Sequence, residues 1–316
     1  MSNKVKLTLL AVVAVALVVL FMVIQSGGNW DYILPTRGRK VLALLLTGFC
    51  IAFSTMIFQT ITNNRILTPS MIGLDWLYML LQTAIVFIFG AASITMISNQ
   101  WNFVLSVGLM VLFALLLHKL MFRREGMNIY YLLLVGLVLG TLFESSSSFM
   151  KMLINPNAFM VLQGKLFASF SSVNSDLLTI SVVAVLVITL YSKKLLTYLD
   201  VISLGKEHAI NLGVPYDSIV KRLLIVVAIL ASIATALVGP ITFFGLLVAN
   251  VTHQFLRTYR HSQLILGAVL IGMIALVGGQ LMVERVFTFT TTLSVIVNFI
   301  GGSYFLYLLL KESKSW

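Results

Sequence analysis

The sequence predicts an all-α integral membrane protein of about ten transmembrane helices, on three observations: its composition, its apolar runs and the side on which its basic residues collect. Hydrophobic residues are 59% of the 316 and charged residues 10%, with a mean hydropathy of +1.04. Soluble domains carry about 45–50% and about 25%. At about 150 residues per soluble domain the length would allow two, but this chain could not keep their surfaces wet. The same figures exclude a disordered chain and a nucleic-acid-binding domain, and the single cysteine, Cys50, excludes a disulfide scaffold.

Ten mostly apolar runs approach or reach the roughly 20 residues needed to cross about 30 Å of hydrocarbon as a self-satisfied helix. They cover 7–24, 40–60, 72–92, 103–122, 129–149, 177–191, 220–238, 241–256, 264–282 and 293–310. The first follows Lys4 and Lys6, and no small-residue cleavage pattern follows it, so it reads as a span and not a signal peptide. The second is preceded by Arg37 and Arg39. The third carries Asp75 near its start, where a helix dipole favours an acid. The fourth runs into Lys119, Arg123 and Arg124, and the fifth holds Glu144 followed by four serines. The sixth and eighth are short, and either draw on flanking residues or stop short of a full crossing. Basic residues precede the seventh (Lys221 and Arg222) and the ninth (Arg257 and Arg260), and Lys311 closes the tenth. Nothing reads as a soluble domain, so residues 1–316 form one transmembrane unit. Its longest connections are 150–176 and 192–219, and long loops inside a compact protein are usually functional.

With the N-terminus placed inside, most of the 21 Lys and Arg sort to the inner face; the six exceptions are Arg37, Arg39, Lys40, Lys151, Lys165 and Arg285. Against only 10 Asp and Glu, the net charge of +11 is therefore first an orientation signal, with both termini cytoplasmic.

Inside the longest inner connection, 199–218 reads LDVISLGKEHAINLGVPYDS. Apolar Ile202, Leu204, Ala209, Ile210, Leu212 and Val214 alternate with polar Lys206, Glu207, His208 and Asn211, while Gly205, Gly213 and Pro215 punctuate it. This pattern predicts one or two short amphipathic helices on the cytoplasmic face. By pattern alone they lie on the membrane surface or against a partner.

The run SLGKEHAINLGV, with Arg222 eight residues further on, resembles the cytoplasmic coupling loop of permease subunits from ferric-siderophore, haem and cobalamin ABC importers, the type II importers. The resemblance extends over nearly the whole chain. Leu34, Pro35, Arg37 and Arg39 are similar to that family's Arg-rich approach to the second span, and Gly48, Gln59, Asn63, Asn64, Pro69 and Gly73 follow in the family's order. GPITFFGLLV at 239–248 resembles its Gly-Pro-Ile-x-Phe-x-Gly-Leu motif, and FIGGSYFLYLLL at 299–310 its last span. The resemblance implies a cobalamin-importer-permease-like fold in a bacterial cytoplasmic (inner) membrane. It also implies two ATP-binding partner subunits, a second permease subunit, identical or a paralogue, and an extracytoplasmic binding protein that delivers ferric siderophore. Coupling to the ATPase would fall to Leu204, Gly205, Lys206, Glu207, His208, Ala209, Leu212 and Gly213. No G-x-x-x-x-G-K-[ST] occurs in the chain, in keeping with ATP being bound by the partners and with no cofactor of its own.

The resemblance further implies that Arg37, Arg39 and Arg285 dock the binding protein through glutamates on its lobes, guanidinium groups being suited to bidentate carboxylate pairing. Read without it, these side chains snorkel to lipid headgroups. The family's Asp four residues before the last arginine is Leu281 here, and its Pro-His after the Gly-Leu motif is Ala249-Asn250. Glu144, Ser145 and Ser148 are candidates to line the translocation path, because an ionisable residue in a span is costly unless it meets water or a partner. The alternative is a glutamate at the outer headgroups with serines bonded back to their own helix. No Cys/His/Asp group has metal-ligand spacing, and the cargo would carry its own iron. Small residues Gly267, Gly272, Gly278, Gly279, Gly301 and Gly302 suit close helix packing. An ion-coupled secondary transporter would need paired intramembrane carboxylates, whereas only Glu144 and Asp75 lie within spans. Haem or cobalamin import is the nearer alternative to a siderophore.

Overall fold

The computed structural model describes residues 2–24, 30–90, 99–121, 129–170 and 173–313. Thirteen α-helices and one 3-10 turn follow in order: α1 (Asn3–Val23), α2 (Trp30–Thr62), the turn Pro69–Ile72, α3 (Leu74–Phe89), α4 (Asn99–Met121), α5 (Ile129–Leu153), α6 (Pro156–Leu166), α7 (Ser175–Leu196), α8 (Leu199–Ile202), α9 (Lys206–Asn211), α10 (Tyr216–Val238), α11 (Phe244–Leu256), α12 (His261–Arg285) and α13 (Leu293–Ser313). Ten of them overlie the ten apolar runs. Six qualify as membrane spans by length and composition among the described residues. Of the remaining three, α8 and α9 are the amphipathic pieces expected on the inner side. The 150–176 connection holds α6, whose start is set by Asn155: its side chain accepts from the Ala158 amide at 2.8 Å, with Pro156 at the first position. Arg123, Arg124 and Lys314, assigned above to the inner side, and the end of the third run at 91–92 lie outside the described residues.

Two helices form the middle of the bundle. In the windows that qualify α2 and α10 as spans, 72% and 67% of residues are buried, against 11% for α1. Around α2 pack α12, α10, α11 and α1, and α10 also meets α4 and α7, while α3 packs on α5 to one side. The peripheral helices turn large apolar side chains outward, such as Val12 and Leu20 on α1, Leu112 on α4 and Leu190 on α7, as a hydrocarbon solvent requires. Helix association in lipid depends on close packing more than on the hydrophobic effect. At the α2/α12 crossing a methyl on Gly48 would lie 3.2 Å from the Gly272 carbonyl carbon, and one on Gly136 of α5 would lie 2.8 Å from Ile72. Of the other glycines expected at interfaces, Gly267, Gly279 and Gly301 abut Leu256, Leu293 and Phe243, whereas Gly278 and Gly302 sit more loosely.

Two interruptions set the interior. After α2 ends at Thr62, the chain lies back against it, because the Gln59 amide donates to the Arg65 carbonyl at 2.6 Å and the Asn250 amide donates to the same carbonyl at 3.1 Å. The Pro69–Ile72 turn and Gly73, at φ 94°, then launch α3 from within the bundle. The second break follows α10, where Gly239 adopts φ 103° and a Cβ there would meet Ala168 at 3.0 Å. Helix α11 restarts at Phe244 and has only 13 residues, about 20 Å, so the eighth run does stop short of a full crossing. The sixth run, by contrast, extends to 22 residues as α7.

Candidate functional site

The 199–218 segment is built on buried anchors with an exposed rim. Leu199 and Ile202 of α8 pack on α2, and Ala209 of α9 and Val214 are buried towards α10. Gly205 at φ 99° separates the two helices. Gly213 at φ 79° ends the second, with the Val214 amide bonded to the Ala209 carbonyl at 3.0 Å. Of the eight residues assigned to coupling, Leu204, Lys206, Glu207, His208, Leu212 and Gly213 are exposed, Gly205 is half-buried, and Ala209 is the anchor. Lys206 is engaged by its own chain: its ammonium lies 3.2 Å from Asp217 and over the Tyr216 ring, fixing α9 to the start of α10. Asp200 does not stand out in the sequence, and Ile210 is read there as part of the apolar pattern but not as a coupling residue. Ile210 stands exposed beside Leu204 and Leu212. Asp200 of α8 accepts from the His261 amide at 2.8 Å and meets its Nδ1 at 2.6 Å, capping α12 from outside it. No spacing rule relates residues 61 apart.

At the other end of the bundle the arginines divide. Arg37 donates to three carbonyls at the end of α1, those of Phe21 (3.1 Å), Met22 (3.0 Å) and Ile24 (2.7 Å), and Arg285 donates to the Ile24 carbonyl at 3.2 Å. Both satisfy acceptors that a helix leaves open at its C-terminus. Arg39 is exposed and donates to the Pro35 carbonyl one turn back at 2.9 Å. Lys40 pairs with Glu284 at 3.1 Å, which also accepts from Gln280 at 3.1 Å. The fold thus brings Arg37, Lys40, Glu284 and Arg285 from α2 and α12 together around the end of α1.

On α5, Glu144, Ser145 and Ser148 share an exposed face, while Ser147 turns inward to meet Thr83 of α3 at 2.8 Å. Between α3, α4, α7 and the end of α10 lies a polar cavity of about 150 Å3 lined by Tyr78, Gln82, Asn102, Ser106, Ser169 and Asn174. Gln82 and Asn102 exchange amide hydrogen bonds at 3.1 and 3.2 Å. Neither Gln82 nor Asn102 stands out in the sequence. Asn250, which stands where the family pattern has histidine, secures the Arg65 carbonyl. Among the described residues no group of His, Cys, Asp and Glu could hold a metal ion.

A bundle of span-class helices around two buried ones, with two helix breaks inside, is the architecture of a polytopic membrane protein. The chain matches the FecCD transport family over residues 5–311 and belongs to that family. It is 59% identical over 316 residues, covering 100% of both chains, to the petrobactin import system permease protein YclO of Bacillus subtilis (strain 168). A second protein of that organism, the petrobactin import system permease protein YclN, is 25% identical over 284 residues, 88% of this chain and 85% of that one. In fold, the chain superposes on a metal-chelate type ABC transporter in an inward-facing conformation with a TM-score of 0.80 at 21% identity, covering 98% of this chain and 100% of the other.

Proposed function

We propose that this chain is a permease subunit of an ABC importer that carries a ferric siderophore, of the petrobactin type, across the bacterial cytoplasmic membrane. The observation that carries the reading is the 59% identity, over its full length, to a petrobactin import permease. The exposed Leu204, Ile210 and Leu212 above buried anchors give an ATP-binding partner subunit an apolar surface to grip, and the Gly205 and Gly213 breaks let the segment project from the bundle. The chain needs no nucleotide or metal of its own, because two partner subunits hydrolyse ATP and the siderophore holds the iron. Arg39 is the docking residue most open to an extracytoplasmic binding protein. Glu144, Ser145 and Ser148 give the cargo's path a polar outer lining once a second permease subunit faces them. That subunit is a paralogue, since one organism holds two petrobactin permeases that relate unequally to this chain.

The test is uptake of radiolabelled ferric petrobactin in a deletion strain. Loss of uptake, restored by the chain supplied in trans, is expected. Unchanged ferric petrobactin uptake with failure of haem or cobalamin uptake would replace the cargo.

A further inference from the structure

Asp75 is a carboxylate inside the bundle, 3% exposed, in the first turn of α3, where the helix dipole favours a negative charge. None of the ion pairs among the described residues reaches it. Its partners are hydroxyls from three segments: Thr235 in the last turn of α10 donates to Oδ1 at 3.1 Å, Thr242 in the break before α11 to Oδ2 at 3.1 Å, and Ser70 of the 3-10 turn also bonds it. Buried charges in proteins are paired or coordinate ions, because leaving one alone in a low dielectric is costly.

A second observation supplies the place for an ion. Thr235, Thr242 and Ser70 line a small cavity with Ser54, Thr55 and Thr68. Thr55 and Thr68 are 0% and 1% exposed, yet their hydroxyls have no hydrogen-bond partner. Buried hydroxyls are satisfied in the great majority of proteins, so two orphans on one cavity point to an occupant. A hydroxyl that donates to Asp75 keeps lone pairs for a cation. The cavity therefore presents hard oxygen donors, and Asp75 stands directly behind three of them, one hydrogen bond from the cavity, at a point where α10 breaks and α3 begins. Interrupted helices of this kind are where membrane proteins coordinate sodium. One carboxylate is too few for calcium, which gathers several, and no nitrogen or sulfur donor is present for a transition metal.

We propose that the hydroxyls of Thr235, Thr242, Ser70, Thr55 and Thr68, backed by the Asp75 carboxylate that three of them bond, hold one sodium ion, which ties the two helix breaks together as a resident part of the permease. The proposal does not depend on which chelate is imported. It is tested on the full-length chain in lipid nanodiscs, by thermal unfolding in sodium chloride against choline chloride at equal ionic strength and by retention of radioactive sodium. Expected are a saturable rise in Tm of a few degrees with sodium and one sodium retained per chain, both abolished by Asp75→Asn. Thr242→Val, a milder change at a half-buried position, should raise the sodium concentration for half effect about tenfold. Equal Tm in both salts with no sodium retained overturns the proposal and leaves the cavity to water. A sodium effect undiminished in Asp75→Asn or Thr242→Val overturns it too, since the ion would then act elsewhere.

Discussion

Arg37 and Arg39 look alike in the sequence and have separate roles in the structure. Two residues apart near the start of α2, they fall on different sides of it: Arg37 reaches three carbonyls of α1, while Arg39 stays exposed beside its own helix. Hydrogen bonds from a charged donor are worth about 1.5–3 kcal/mol each, and buried acceptors left open cost a similar amount. Arg37→Ala should therefore lower stability by about 2–4 kcal/mol, read as a fall in Tm, and Arg37→Lys should recover only part: one nitrogen, Nη1, makes all three bonds, and the shorter lysine sets its ammonium back from the carbonyls. Arg39→Glu should leave Tm unchanged and weaken co-precipitation of the binding protein. Equal loss of docking in Arg37→Ala and Arg39→Glu, with no change in Tm for either, would make both simple docking residues. The sequence could show that arginines gather here, but which carbonyls they meet depends on where α1 ends, a tertiary fact. Asp75 carries the same lesson. Its position at a helix start was legible, while its hydroxyl partners at Thr235 and Thr242 lie 160 or more positions away.

At the scale of elements, hydropathy located the spans because lipid imposes one demand on every residue of a helix's outer face. The inner segment was legible for a different reason: glycines at its two breaks and amphipathic spacing fix short helices whatever surrounds them. Missing from the sequence reading was α6, whose 11 residues have too little apolar pattern to separate from a loop, and the contacts of Asp200 and Ile210. Because the segment's rim is exposed, changes there should act on partners and not on the fold. Ile210→Asp with Leu212→Asp is expected to leave stability within about 0.5 kcal/mol of wild type and to abolish co-purification of the ATP-binding subunits. Ala209→Leu should behave oppositely, costing about 1–3 kcal/mol through overpacking of a fully buried anchor. If the rim variant still co-purifies with the ATPase at wild-type yield, the segment is a membrane-surface helix and coupling lies elsewhere.

For the whole molecule, three of the six exceptions to inward sorting of positive charge become intelligible once their partners are known. Arg37 and Arg285 are spent on helix carbonyls and Lys40 on Glu284, so these cations hold the outer end together and carry less weight as topology signals than free lysines would. Removing them from the count leaves a stronger bias for cytoplasmic termini. The chain provides its own means of testing this, because its single cysteine, Cys50, is fully buried in the middle of α2 and beyond the reach of a polar thiol reagent. Wild type should stay unlabelled by a membrane-impermeant maleimide in intact spheroplasts and after permeabilisation. Single cysteines at exposed positions should then report sidedness without a background: Val286→Cys, just past α12, should label in intact spheroplasts, and Leu212→Cys and Tyr259→Cys only once the membrane is opened. Labelling of Leu212→Cys in intact spheroplasts would invert the orientation, and with it the assignment of the α8 and α9 segment to the ATPase and of Arg39 to the binding protein.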